Sequence, residues 1–193
     1  LMSGDTPLEE DERVDTLMIE STNGLQDEAQ VHSYQDEIVR LGEAIKKTLL
    51  GGGTALIPSF ALGRTQEILN IVARLQEEGT IPEVPIYASG LGRAVYELYD
   101  RFADYLAEDA VLRPLDEFGS IGNVWNPKIV RRLISDPCII VATSGMMLEN
   151  TPSSMIAQEM VKHDHHGIFF VGYLDHETLG YKLFHAEPGT PLS

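Results

Sequence analysis

What a chain like this can fold into is set most tightly by Gly51–Leu69, GGGTALIPSFALGRTQEIL. Three glycines end whatever precedes them. Thr54–Ile57 is a short apolar run between punctuating residues, which predicts a buried strand. Pro58 ends that strand because it cannot donate to a ladder. Ser59–Arg64 reads as a tight turn, and a helix starts at Thr65 with Ile68, Leu69 and Val72 on one face. In a parallel sheet, such a unit leaves backbone N–H groups and the positive end of a helix dipole at the carboxyl edge, where anions can bind.

The same pattern recurs three times. Val84–Tyr87 predicts a strand, Ala88–Gly92 a turn, and Arg93 opens a helix. Cys138–Ala142 is followed by the turn Thr143–Met146 and a helix from Thr151. Ile168–Val171 is followed by Gly172–Glu177 and a short helix from Thr178. The expected fold is α/β: three α/β/α layers, a mainly parallel sheet, and helices on both faces. Four turns of one type then share one edge, and that edge is the candidate site.

The remaining elements are read from periodicity and caps. Val14–Ile19 predicts a strand. Gln30–Leu50 predicts a helix, with Tyr34, Ile38, Leu41, Ile45 and Leu49 recurring every three or four residues. The helix from Arg93 to Leu106 would bury Val95, Leu98, Tyr99, Phe102 and Tyr105. Ala110–Leu115 reads as a short edge strand and Asp116–Trp125 as an irregular loop. Pro127–Ile134 reads as a helix with Asn126 at its N-cap and Pro127 at its first position.

Of 193 residues, 14 are basic and 30 acidic, so the formal net charge is −16. This argues against a general polyanion binder, whose affinity comes from massed lysine and arginine. Arg131-Arg132 and Lys46-Lys47 are the only adjacent basic pairs. Any nucleic-acid contact must be local, made by N–H groups and a few arginines or assisted by metal. No apolar run approaches the ~20 residues of a membrane helix, and a membrane partner is not expected. The lone Cys138 leads a strand and reads as a buried free thiol, compatible with a reducing, cytoplasmic setting.

Several motifs admit a plain structural reading beside a functional one. Asp5 and Glu20 follow two strands, as metal ligands or acid/base groups do, yet either could simply cap a turn. Residues 58–65 mimic a phosphate-binding P-loop, but Pro58 and Arg64 stand where glycine and lysine belong. His163-Asp-His-His166 suggests a metal cluster, although exposed turn residues are the simpler expectation. Met146-Met147 is either core or an apolar platform beside a groove.

Taken together, these stretches resemble the β-CASP nucleases of the metallo-β-lactamase fold. The similarity runs through Ser3-Gly-Asp5, Asp15–Thr22, Gly53–Glu67, Pro85–Gly90, Ala142–Met147, Val171-Gly-Tyr173 and Thr178-Leu-Gly180. The IPSFALGRTQE and SGMM stretches are the most specific. That family includes the pre-mRNA cleavage endonuclease subunit, bacterial RNase J and Artemis-type DNA nucleases, and the RNA-processing branch looks closer.

The resemblance implies that residues 1–24 are the edge of a lactamase-like domain, 25–187 the β-CASP domain, and 188–193 the return. It implies that Asp5 bridges two zinc ions and that Glu20 orients a catalytic histidine, which makes both catalytic candidates. It implies that Ser59, Arg64, Ser89, Arg93, Ser144, Gly145, Met146 and Thr178 hold the RNA backbone over the metal site. The implied partners are RNA, the rest of the lactamase-like domain and, as a further candidate, a second copy of the chain.

The sequence departs from the family at several points, among them Asn23 in place of the usual tyrosine after Glu20-Ser-Thr. Histidines of the HxHxDH type are absent. Glu149-Asn-Thr-Pro-Ser replaces a glycine-rich continuation, and Asp175-His-Glu-Thr replaces Pro-Gly-Thr. The parent is therefore expected to be a zinc-dependent ribonuclease and this chain an RNA-gripping domain that is catalytically silent. Two other classes stay open: a small-molecule or nucleotide-binding α/β module, and a docking domain whose acidic faces meet a basic protein.

Overall fold

The computed structural model describes residues 13–19, 33–106 and 110–191. Among them five strands form one sheet, β1 (Ala55–Pro58), β2 (Ile86–Ala88), β3 (Gly119–Ser120), β4 (Ile139–Ala142) and β5 (Gly167–Ile168). Their order is β3-β2-β4-β1-β5, and every pairing is parallel. Six helices connect them: α1 (Tyr34–Leu50), α2 (Arg64–Glu77), α3 (Gly90–Arg101), α4 (Pro127–Leu133), α5 (Pro152–Met160) and α6 (Leu179–Phe184).

Alternation along the strands divides the core in two, because successive side chains on a strand point to opposite faces. Ala55, Ile57, Ile139 and Val141 pack with α1, α2 and Tyr96 of α3. Leu56, Ile140 and Ala142 pack with Val130 of α4 and with Ile156, Ala157 and Met160 of α5. Both central strands are buried throughout, which is why they read as continuous apolar runs. The three-layer expectation holds.

Several local expectations fail for identifiable reasons. Val14–Ile19 forms no strand; Leu17, Met18 and Ile19 are exposed and find no ladder partner among the described residues. Residues 110–115 are not a strand either. Arg113 there is tied down by side chains instead: its N–H donates to Asn70 Oδ1 at 2.8 Å, and its carbonyl accepts from the Tyr96 hydroxyl at 2.8 Å. The edge strand lies in the supposed loop, at Gly119–Ser120.

The last strand ends early because of Pro58. Gly167 N donates to Thr54 O and Phe169 N to Leu56 O, so alternate β1 residues face β5. The next of these is Pro58, which has no N–H to offer. Helix α3 buries Gly92 and Tyr96 rather than the predicted stripe, and Leu98, Phe102 and Tyr105 are exposed. The caps of α4 fall where predicted, with Asn126 Oδ1 accepting from Lys128 N at 3.1 Å.

Candidate nucleic-acid interface

An all-parallel sheet must place every strand's carboxyl end on one edge. The turns after β1, β2 and β4 do lie side by side there. Ser59 N donates to Ala142 O at 2.9 Å and Ser89 N to Val141 O at 3.1 Å. These bonds extend the ladders one residue beyond the strands and lock the first residue of each turn to its neighbour.

Side chains complete the fastening. Thr65 Oγ1 donates to Phe60 O at 2.7 Å. The Ser59 hydroxyl, 2.8 Å from Thr65 Oγ1, must then be the donor of that pair. Gln66 is fully buried and donates from Nε2 to Ala61 O at 3.0 Å and Gly92 O at 3.2 Å, joining the first turn to α3. Ser89 Oγ accepts from Thr143 N at 3.0 Å, joining the second turn to the third.

The third turn touches both of its other neighbours closely. A Cβ on Gly145 would lie 2.9 Å from the Phe60 ring, and one on Gly180 would lie 2.7 Å from Met146 O. Gly180 N donates to that same carbonyl at 3.1 Å. The four turns therefore form one continuous rim. Ser144 Oγ accepts from Leu148 N at 3.0 Å, and Ser144 O accepts from Ser153 Oγ at 2.7 Å. Thr178 caps α6, accepting from Tyr181 N and donating to Asp175 O at 2.6 Å.

The predicted anion-binding residues differ in how much they show to solvent. Ser59 and Ser89 are 1% exposed, and their hydroxyls are committed inside the rim. Thr178 is buried as a cap, and Gly145 lies under Phe60. These residues shape the rim from within. Arg93 donates to Phe118 O and, at 3.4 Å, to Gly119 O, so its guanidinium anchors edge strand β3 to α3. Arg64 is half-exposed and pairs with Glu67 at 2.6 Å. The other Glu67 oxygen accepts from the Tyr34 hydroxyl at 2.8 Å; burial first, and then this bond, push the Tyr34 pKa up to about 12. Asp5 and Glu20 lie outside the described residues.

Part of what the rim shows to solvent is apolar. Phe60, Leu62, Leu91, Leu148 and Tyr173 all project from its turns and are exposed. Met147 is fully buried in the core beneath, whereas Met146 lines a groove of about 1230 Å³ between the third turn, α5, α6 and residues 186–191. That groove carries Glu149, Asp175, Glu177 and Glu187 against Lys182. The two substituted stretches, through Glu149 and through Asp175 and Glu177, thus converge on one acidic concavity, which would repel a phosphate chain. Sequence reasoning missed Gln66 and Phe60 as rim ties; the signal was a glutamine in the first turn of α2 and an aromatic in the turn before it.

The histidine run resolves as turn residues. His163 and His165 are exposed, and the rings of His165 and His166 lie tilted against each other with centres 4.1 Å apart. His166 Nδ1 accepts from Thr54 N at 3.0 Å. Burial first, then the neighbouring His165 and His163, hold its pKa down to about 4. Among the described residues no group of three or more His, Cys, Asp or Glu side chains is placed to hold a metal ion. No described helix is long and apolar enough to cross a membrane.

A family model described as the Beta-Casp domain matches residues 65–183. The transcription termination factor FttA of Cenarchaeum symbiosum is 31% identical over 188 residues, covering 93% of this chain and 29% of that protein. An RNase J-like protein of Methanocaldococcus jannaschii is 32% identical over 187 residues, covering 95% of this chain and 42% of that protein. FttA of Thermococcus kodakarensis is 32% identical over 179 residues, 87% of this chain and 27% of its own length. The chain thus spans between 27% and 42% of the length of these curated relatives.

Proposed function

Since this chain belongs to the Beta-Casp domain family, we propose that it is the RNA-gripping part of a ribonuclease or mRNA 3′-end-processing-like hydrolase, related to the termination and RNase J-like factors it resembles. Residues 25–187 make up the gripping domain in this reading, with lactamase-like structure flanking it. The observation that supports it most is the continuous rim. Its buried hydroxyls and amide ties fix the turns, so their tips meet a ligand without first being ordered. Phe60 and Tyr173 offer faces on which bases can stack, and Arg64 offers a cation for the backbone.

The described residues provide no ligand set for zinc, so no catalytic step is assigned to them. Zinc, with Asp5 as ligand and Glu20 as orienting acid, belongs to the proposal for the whole protein. So do a cytoplasmic setting and a second copy of the chain as a partner. The whole protein would cleave RNA phosphodiester bonds, and the part described here would hold the strand.

The test is a paired assay on this chain. RNA binding is measured by anisotropy with nucleoside triphosphate as competitor, and RNA cleavage is measured with and without added zinc. Salt-sensitive binding that millimolar nucleotide does not displace, with no cleavage, is expected. Displacement by nucleotide would favour a small-molecule module, and zinc-dependent cleavage would overturn the assignment of chemistry to other residues.

A further inference from the structure

The carboxyl rim is electrically lopsided. At its β5 end the groove gathers four carboxylates against one lysine. At the opposite, β3 end no acidic residue occurs between Glu117 and Asp136, while Lys128, Arg131 and Arg132 fall within five residues. In a chain of net charge −16 this is the densest local run of basic residues.

A tryptophan, Trp125, comes three residues before the first of these cations. The connection from β3 to β4 is a parallel crossover, so the loop from Ile121 to Asn126 and the start of α4 lie at the carboxyl edge. Val124 is 3% exposed and anchors the loop in the core, while Trp125 next to it is 57% exposed. Trp125 N donates to Asn123 Oδ1 at 3.1 Å, Asn126 N donates to Asn123 O at 3.2 Å, and Asn126 caps α4. The indole is thus carried, more than half exposed, on a fastened loop. Lys128 and Arg132 are exposed, lie one turn apart on α4, and form no ion pair with any described residue. Arg131 lies 3.9 Å from Glu159 and is partly neutralised.

We propose that Trp125, Lys128 and Arg132 form a single-stranded RNA contact at the β3 end of the rim, by which the strand leaves the turns away from the acidic groove. A base stacks on the indole, and the two cations meet the phosphates on either side of it. Aromatic faces flanked by unpaired cations are how single strands are held without reading sequence. The contact rests on the reading of the rim as an RNA interface and gives that interface a direction: the backbone enters over Arg64 and departs over α4.

Trp125 is the only tryptophan, so its emission reports on this contact alone. The chain is titrated with a labelled oligouridylate of about twelve nucleotides, reading probe anisotropy and tryptophan emission together. Expected are quenching that parallels binding, about tenfold weaker binding for Trp125→Ala, and at least tenfold weaker binding for the Lys128→Glu/Arg132→Glu double variant. The salt slope of that double variant should fall by about 1.4, which is two phosphate contacts on a single strand. Far-UV circular dichroism should be unchanged, since all three side chains are exposed. Binding without quenching, with all variants intact, overturns this contact and leaves the rim reading standing. Absence of RNA binding overturns both. Equal quenching by polyglutamate at matched charge would show an acidic protein surface as the partner and overturn the RNA assignment.

Discussion

The Ser89 hydroxyl accepts a hydrogen bond from the buried Thr143 backbone N–H at 3.0 Å and so joins the turn after β2 to the turn after β4. Ser89 carries no ordinary N-cap bond to its own helix. Its side chain is spent across the rim instead. Ser89→Ala would leave a buried N–H unpaired and cost about 1–3 kcal/mol. Chemical denaturation should show that loss with an unchanged m-value, and thermal unfolding should show a fall of several degrees.

Glu67 holds Arg64 with one carboxylate oxygen and the Tyr34 hydroxyl with the other. A phosphate reaching Arg64 must compete with that carboxylate. Glu67→Gln keeps an acceptor for Tyr34 but removes the charge. RNA affinity should rise by up to about fivefold, since a partly exposed ion pair is worth on the order of 0.2–1 kcal/mol. Anisotropy at low salt checks this, and an unchanged affinity would mean that Arg64 does not reach the strand.

Met146 and Met147 are adjacent in sequence and have different jobs. Met147 is fully buried, with a positive φ of 53°, whereas Met146 lines the acidic groove. Met147→Ala should cost about 2–5 kcal/mol through transfer and cavity terms. Met146→Ala should cost well under half of that. Urea midpoints for the two variants decide the matter.

His166 supplies a pH dependence whose sign follows from its depressed pKa. Its folded value of about 4 lies below the ordinary 6.5, so folding favours the neutral ring that accepts from Thr54 N. That stability is fully present above pH 6.5, declines as the unfolded chain takes up a proton, and levels off below about pH 4. Partial solvation of the ring limits the effect to about 1 kcal/mol. His166→Asn retains an acceptor and should flatten the stability curve between these two pH values.

How much of this was legible follows from what each feature depends on. The parallel rim was readable because each strand, turn and helix repeats one local pattern, and Pro58 and Asn126 act through their own backbones. The face of α3 was not. Aromatic and aliphatic residues occupy two adjacent stripes on it, and the close approach of α2 at Gly92 selects Tyr96 over Leu98 and Phe102. Edge strand β3 was invisible because Gly119-Ser120 has no apolar run; Arg93, reaching from α3, holds it in place. Serine hydroxyls in turns look alike in sequence whether they face a ligand or their own backbone. Only the placement of Thr65 and Thr143 shows that Ser59 and Ser89 face inward.

The salt dependence of RNA binding, compared between this chain and Arg64→Ala, tests the rim most directly. Arg64 opens α2 half-exposed, and its ion pair with Glu67 is worth on the order of 0.2–1 kcal/mol, so the variant should unfold at nearly the same denaturant concentration. If the rim holds the backbone, binding weakens with salt, and Arg64→Ala lowers affinity severalfold while reducing the slope of log K against log salt by about 0.7, one phosphate on a single strand. Identical affinity and identical slope in the two proteins would contradict the account.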